Sequence, residues 1–179
     1  MHSRRALWSS LTPSICFIIT VEIIDGDTPL TSVLLAPTHI DIFFGINIRP
    51  ISFTSEECTV TTFLAEYYEQ VNIPMFTGAT SYTMELGGVI ILIFGQGLWF
   101  CNRMEKTLIN PIQYQSFSIP ICDDPTDQHR QLVIEEDFNT PIPMLIVGST
   151  CGFINWYPIS DEIKTHWHIT ISNEHNWYP

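Results

Sequence analysis

Basic residues are scarce in this chain: seven Lys and Arg stand against 19 Asp and Glu, for a net charge of −12. Such a surface repels phosphate backbones and anionic lipid, so neither nucleic acid nor a membrane surface is expected as a partner. Long hydrophobic runs are missing too. The best candidates, Ile15 to Ile24 with Thr20 and Glu22 inside it and Val89 to Phe94, fall short of the roughly 18 apolar residues that span a bilayer. The five cysteines (Cys16, Cys58, Cys101, Cys122, Cys151) are odd in number and contain no C-x-x-C pair. A zinc ribbon and a closed disulfide framework are therefore not expected, and a reducing, intracellular (cytoplasmic) compartment is the simpler reading. Arg4 and Arg5 precede an apolar stretch as in a signal peptide, but Ser9, Ser10, Thr12, Pro13 and Ser14 break it and no small-residue cleavage site follows. A phosphate-binding glycine loop is absent, since Gly95-Gln96-Gly97 lacks a third glycine, and no cofactor is implied.

The chain does carry ample core material, with 45% hydrophobic and 12% aromatic residues over 179 positions. Twelve prolines and nine glycines are scattered between short apolar runs, which favours many short strands over a helix bundle. Strands are expected over Ile15 to Ile24, Thr31 to Leu35, His39 to Phe44 and Arg49 to Phe53. From Glu56 to Gln70 the helical spacing of Phe63, Leu64 and Tyr67 suggests a short helix, against the β-prone Thr59 to Thr62 at its start. Val71 to Tyr82 and Val89 to Phe100 flank Gly87-Gly88, a hairpin signal. Residues 121–179 hold nine acids against Arg130 and Lys164, so a β domain is expected over 1–120 and an acidic, Pro-rich extension over 121–179. Within the extension, Gln131 to Ile134, Met144 to Val147 and His168 to Ile171 are short strand candidates, and Asp161-Glu162 can open a short helix.

Among candidate chemical sites, the apolar run ending in Asp25-Gly26-Asp27-Thr28-Pro29 is the most pointed. An acid followed by a hydroxyl residue at the end of a buried strand is how aspartic proteases present a carboxylate, and the chemistry needs two such groups sharing one proton. One chain supplies one such loop, so a second copy would have to complete the pair. The plain alternative is a surface turn capped by Asp25 and Asp27. His166 and His168, two apart on a strand, with Glu174 and His175 nearby, could be arranged around zinc, but unpaired surface histidines are the commoner case and no metal is expected. Trp99, Trp156, Trp167 and Trp177 read as core aromatics rather than a ligand platform.

A longer pattern adds to this reading. Ile90 to Phe100, Asn102-Arg103-Met104, and Thr107-Leu108-Ile109-Asn110-Pro111 with Gln113 follow one another in a recognisable order. Thr77 to Thr83 precedes them, and Ile121 to Pro125, Pro158 to Glu162 and Asn176 to Pro179 follow. In collinear order over residues 50–179, these pieces resemble the protease region of Ty1/copia-type retrotransposon polyproteins, of the divergent algal, diatom and fungal kind. The resemblance implies a mainly β fold, a small retropepsin-like closed barrel with short helices and an irregular acidic C-terminal extension. It implies a retroviral-type aspartic endopeptidase acting on polypeptide as a homodimer. Asp27, 81 positions before Leu108, would be the catalytic acid and Thr28 its brace, with Gly87 and Gly88 as the flap over the substrate. Pro29 departs from the family's small residue after the hydroxyl: it has no backbone N–H to hold the carboxylate. The alternative implied by that departure is an inactive remnant that serves only as a β-rich structural or interaction module.

Overall fold

The computed structural model describes residues 15–17, 32–35, 42–62, 70–122, 131–134, 140–147 and 150–171. In chain order the strands begin with β1 (Ile15–Phe17), β2 (Ser32–Leu35) and β3 (Ile42–Phe44), followed by three long ones, β4 (Arg49–Thr62), β5 (Gln70–Thr83) and β6 (Val89–Trp99). After β7 (Thr107–Ile109) and the one-and-a-half-turn helix α1 (Pro111–Ser116) come β8 (Ile121–Cys122), β9 (Gln131–Ile134), β10 (Thr140–Pro143), β11 (Leu145–Val147) and β12 (Thr150–Ile154). A second short helix, α2 (Ser160–Thr165), precedes β13 (Trp167–Thr170).

Ten strands form one sheet in the order β1-β4-β5-β6-β3-β7-β2-β12-β11, with β13 also on β6, and β10-β9-β8 form a small second sheet. The β4-β5-β6 meander is antiparallel, whereas β3 and β13 both lie parallel to β6 and divide its second edge, β13 taking Ile90 to Ile93 and β3 taking Gly97 to Trp99. This explains the composition of β6, VIILIFGQGLW: a strand with neighbours on both edges and cover on both faces reads as a continuous apolar run rather than an alternating one. The protein is thus mainly β. The pairings do not close the expected barrel: among the described residues nothing joins β1 to β11, because β1 grips only Val60 to Thr62 and β11 ends the path in a hairpin with β12. Strands on either side of residue 120, where the sequence suggests that the β domain ends, hydrogen-bond in the same sheet, β12 with β2 and β13 with β6.

The helix suggested from Glu56 is replaced, as far as Thr62, by the second half of β4. Cross-strand pairing of Glu57 with Pro74 and Cys58 with Ile73 outweighs the local spacing, and the Thr-rich segment suits the pleat. Phe63, Leu64 and Tyr67 lie outside the described residues. Helix α1 starts on Asn110, whose side-chain oxygen accepts from the Ile112 N–H at 2.9 Å, with Pro111 in the first turn where its missing N–H costs nothing. Helix α2 follows the acid signal: the Glu162 carboxylate accepts from the Ile159 N–H at 2.8 Å.

The core is aromatic. Phe44 lies 4.6 Å from Phe76 and 6.3 Å from Phe94, and Phe94 meets Tyr114 of α1 edge to face at 6.3 Å, all four rings fully buried. A side chain at Gly97 would run into the Phe44 ring, so this glycine lets β3 lie against β6. Next to it the register with β5 shifts: Phe76 faces Gly97 and Gly78 faces Phe94, which leaves Thr77 opposite both Gly95 and Gln96. Gln96 takes up the bulge with a φ of +54°.

Candidate functional site

Of the residues singled out in the sequence, Asp25, Asp27, Thr28 and Pro29 lie outside the described residues. Gly87 and Gly88 sit where expected, in the turn between β5 and β6. The Met84 N–H donates to the Gly88 carbonyl at 2.7 Å and the Gly87 N–H to the Met84 carbonyl at 2.9 Å. Gly87 adopts a φ of +87°, a conformation that glycine enters freely, and Leu86 at the tip is fully exposed.

At the root of this hairpin the chain has built something that the sequence does not advertise. Beyond Ala79, which pairs with Arg49, strand β5 has lost β4 as a neighbour, and the segment after β12 takes its place: Ser81 and Trp156 exchange two backbone hydrogen bonds of 2.9 Å. The Trp156 carbonyl also accepts from the hydroxyls of Thr80 at 2.8 Å and Ser81 at 3.1 Å. One residue earlier, the fully buried Asn155 donates through Nδ2 to Thr80 Oγ1 at 2.6 Å and to the Asn47 carbonyl at 3.3 Å, and its Oδ1 accepts from Asn47 Nδ2 at 3.1 Å. The buried Asn47 in turn accepts at Oδ1 from Thr107 Oγ1 at 2.6 Å, and that hydroxyl accepts from the Gly45 N–H at 3.1 Å. Arg49 extends the staple outward, donating to the Pro158 carbonyl at 3.1 Å and Ser160 Oγ at 2.6 Å. The buried members are amides and hydroxyls engaged with one another, so the network fixes geometry and moves no proton near neutral pH.

What it holds in place is a groove of about 270 Å³, lined by Tyr82, Thr83, Pro143, Leu145, Ile154 and Trp156. Trp156 is 52% exposed and Leu145 48%, although the Trp156 backbone is fastened at both its N–H and its carbonyl. An aromatic ring presented to solvent from a rigid backbone loses little freedom on binding. Burial raises the Tyr82 hydroxyl above its ordinary pKa, and the charge of nearby Glu85 raises it further, so Tyr82 is a neutral donor at physiological pH and Glu85 puts negative potential at this end of the sheet. Burial pushes the Tyr114 hydroxyl well up, and it has no hydrogen-bond partner among the described residues.

Among the described residues no three His, Cys, Asp or Glu side chains converge as metal ligands. His166 Nδ1 and His168 Nε2 instead approach the carbonyls of Glu162 and Ile163 in α2. No helix among the described residues is long and apolar enough to cross a membrane. No protein family matches this chain, and no curated protein or solved structure is significantly similar to it.

Proposed function

We propose that the chain is a retroviral-type aspartic endopeptidase segment of a retrotransposon polyprotein, working in the cytoplasm on polypeptide substrates. Asp27 supplies one carboxylate, Thr28 braces its loop, and a second copy of the chain completes the pair. One carboxylate takes a proton from water as it attacks the scissile carbonyl, while the other, protonated, donates to the carbonyl oxygen. Besides the collinear motifs, the observation that supports this reading is the position of β2. It begins four residues after Thr28 and is held between β7 and β12 inside the sheet, with Val33 opposite Thr107 and Phe153. A strand flanked on both edges is the kind of rigid support that a catalytic loop requires.

A second reading, an inactive β-rich structural or interaction module, is favoured by two observations. Pro29 removes an amide from the acid's loop, and the buried polar centre around Asn47 and Asn155 contains no titratable group. The same experiment decides between them: cleavage of an unfolded polypeptide mixture between pH 4 and 7, by this chain and by Asp27→Asn, at concentrations that favour dimers. Cutting by the parent alone, fading as both carboxylates ionise, supports the protease. No cutting by a demonstrably folded parent leaves the inactive module, and equal cutting by both proteins removes Asp27 from the site.

A further inference from the structure

We propose that the groove lined by Tyr82 and Trp156 binds a small, uncharged aromatic molecule of one or two rings, which lies against the Trp156 indole and accepts a hydrogen bond from the Tyr82 hydroxyl through a carbonyl or ether oxygen. The site is independent of Asp27 and holds under either reading above.

Four observations select that ligand. The first is a donor that the protein leaves unused. Tyr82 is only 7% exposed, yet its hydroxyl has no hydrogen-bond partner among the described residues. Its ring is fixed edge to face on Phe153 at 6.2 Å, so the phenol is held ready for an acceptor that a ligand brings. Size is the second. A volume of about 270 Å³, just below the usual range for small-molecule sites (about 300–1,000 Å³), admits one or two rings and not a nucleotide or an oligosaccharide. The third is charge. Tyr82 and Thr83 come from the end of β5, Ile154 and Trp156 from β12 and its extension, and Pro143 and Leu145 from the adjoining ends of β10 and β11, and none of these side chains is charged. A cation would leave water with no ion-pair partner among them, and a carboxylate would meet the negative potential that Glu85 puts on Tyr82. The fourth is rigidity: the Trp156 ring, 52% exposed, projects from a backbone held at both its N–H and its carbonyl, so a flat ligand can stack on it at little entropic cost.

The test is a ligand-detected NMR titration of the full chain with coumarin, a neutral bicyclic lactone, beside coumarin-3-carboxylate and the saturated octahydrocoumarin. Coumarin is expected to bind saturably with a Kd of about 0.1–1 mM, and the other two at least about fivefold more weakly. Trp156→Ala, which keeps the backbone bonds, should weaken coumarin binding about tenfold. Tyr82→Phe removes a hydroxyl with no partner among the described residues, so it should weaken binding about fivefold with thermal melting unchanged, and Leu86→Ser at the exposed hairpin tip should leave binding as it is. No saturation up to about 5 mM would overturn the site. Undiminished binding by Trp156→Ala would overturn its location, and undiminished binding by Tyr82→Phe would overturn the hydrogen bond. Equal binding of the carboxylate would overturn the selection for an uncharged ligand, and equal binding of octahydrocoumarin the selection for an aromatic one.

Discussion

Replacing Asn155 by alanine tests whether the amide network is what fixes the region after β12. The side chain is fully buried and makes three hydrogen bonds of 2.6 to 3.3 Å to Thr80 Oγ1, the Asn47 carbonyl and Asn47 Nδ2. Truncation takes one acceptor from Asn47 Nδ2 and one donor from the Asn47 carbonyl, both inside the protein, and each such buried hydrogen bond lost costs about 1–2 kcal/mol. Thr80 suffers less, because its hydroxyl still donates to the Trp156 carbonyl. A total of about 2–4 kcal/mol is a large share of a domain's usual margin of about 5–15 kcal/mol. With a denaturant slope near 2 kcal/mol/M, the urea midpoint should fall by about 1–2 M in circular-dichroism melts. Thr107→Val removes the donor to Asn47 Oδ1 at the other end of the chain of bonds. The double variant should therefore lose less than the sum of the two single losses, by at least about 0.5 kcal/mol. A midpoint shift below about 0.3 M for Asn155→Ala, or strict additivity with Thr107→Val, would refute the account of a connected, fully used network.

Gly97→Ala should destabilise by about 1–3 kcal/mol in the same melts, because the new methyl meets the Phe44 ring in a filled core, while Leu86→Ser at the hairpin tip should stay within about 0.5 kcal/mol. Phe44→Ala should cost about 3–5 kcal/mol, since that ring contacts both Phe76 and Phe94. Tyr114→Phe removes a buried hydroxyl that lacks a partner among the described residues, so it should leave stability unchanged or raise it by up to about 1 kcal/mol. Because burial raises the pKa of Tyr82 and Tyr114 above 10.0, the folded form holds its phenolic protons longer than the unfolded form. Their contribution to stability is intact below pH 10 and declines as pH rises above it, so alkaline melts should show unfolding above pH 10 that is blunted in Tyr114→Phe.

Local signals carried the parts of the fold that local chemistry dictates. Gly87-Gly88 between two β-prone runs marks the β5–β6 turn, and Asp161-Glu162 marks the start of α2. Where the deciding partner is far away, the sequence is mute or misleading. The Thr-rich stretch up to Thr62 is strand, as its composition suggests, because β5 pairs with it, while Phe63, Leu64 and Tyr67, whose spacing suggests helix, lie outside the described residues. Nothing local to Asn47 or Asn155 indicates that they meet across 108 positions. Trp156 and Trp167 read as core aromatics, but they are 52% and 60% exposed, and at Trp156 it is the backbone that is anchored. The Asn110-Pro111 pair carries a local signal of its own: a side-chain acceptor followed by a proline is the chemistry of a helix start, and α1 begins there.

The order of strands in the sheet has a consequence for how the protein comes into being. Val33 of β2 lies between Thr107 and Phe153, so its second neighbour is synthesised 120 residues after it, and Ile90 of β6 waits 77 residues for Trp167. The β4-β5-β6 meander, like the β11-β12 hairpin and the β8-β9-β10 sheet, can assemble from adjacent stretches as they leave the ribosome. Until β13 and the Asn155 segment arrive, it presents the apolar edge of β6 and the upper half of β5 without their final partners. Long-range pairings of this kind slow folding, and strand edges left open in the interval are where chains join one another instead of themselves. Shortening the chain before residue 154 should leave the upper half of β5 and Ile90 to Ile93 of β6 without these partners and favour association between chains.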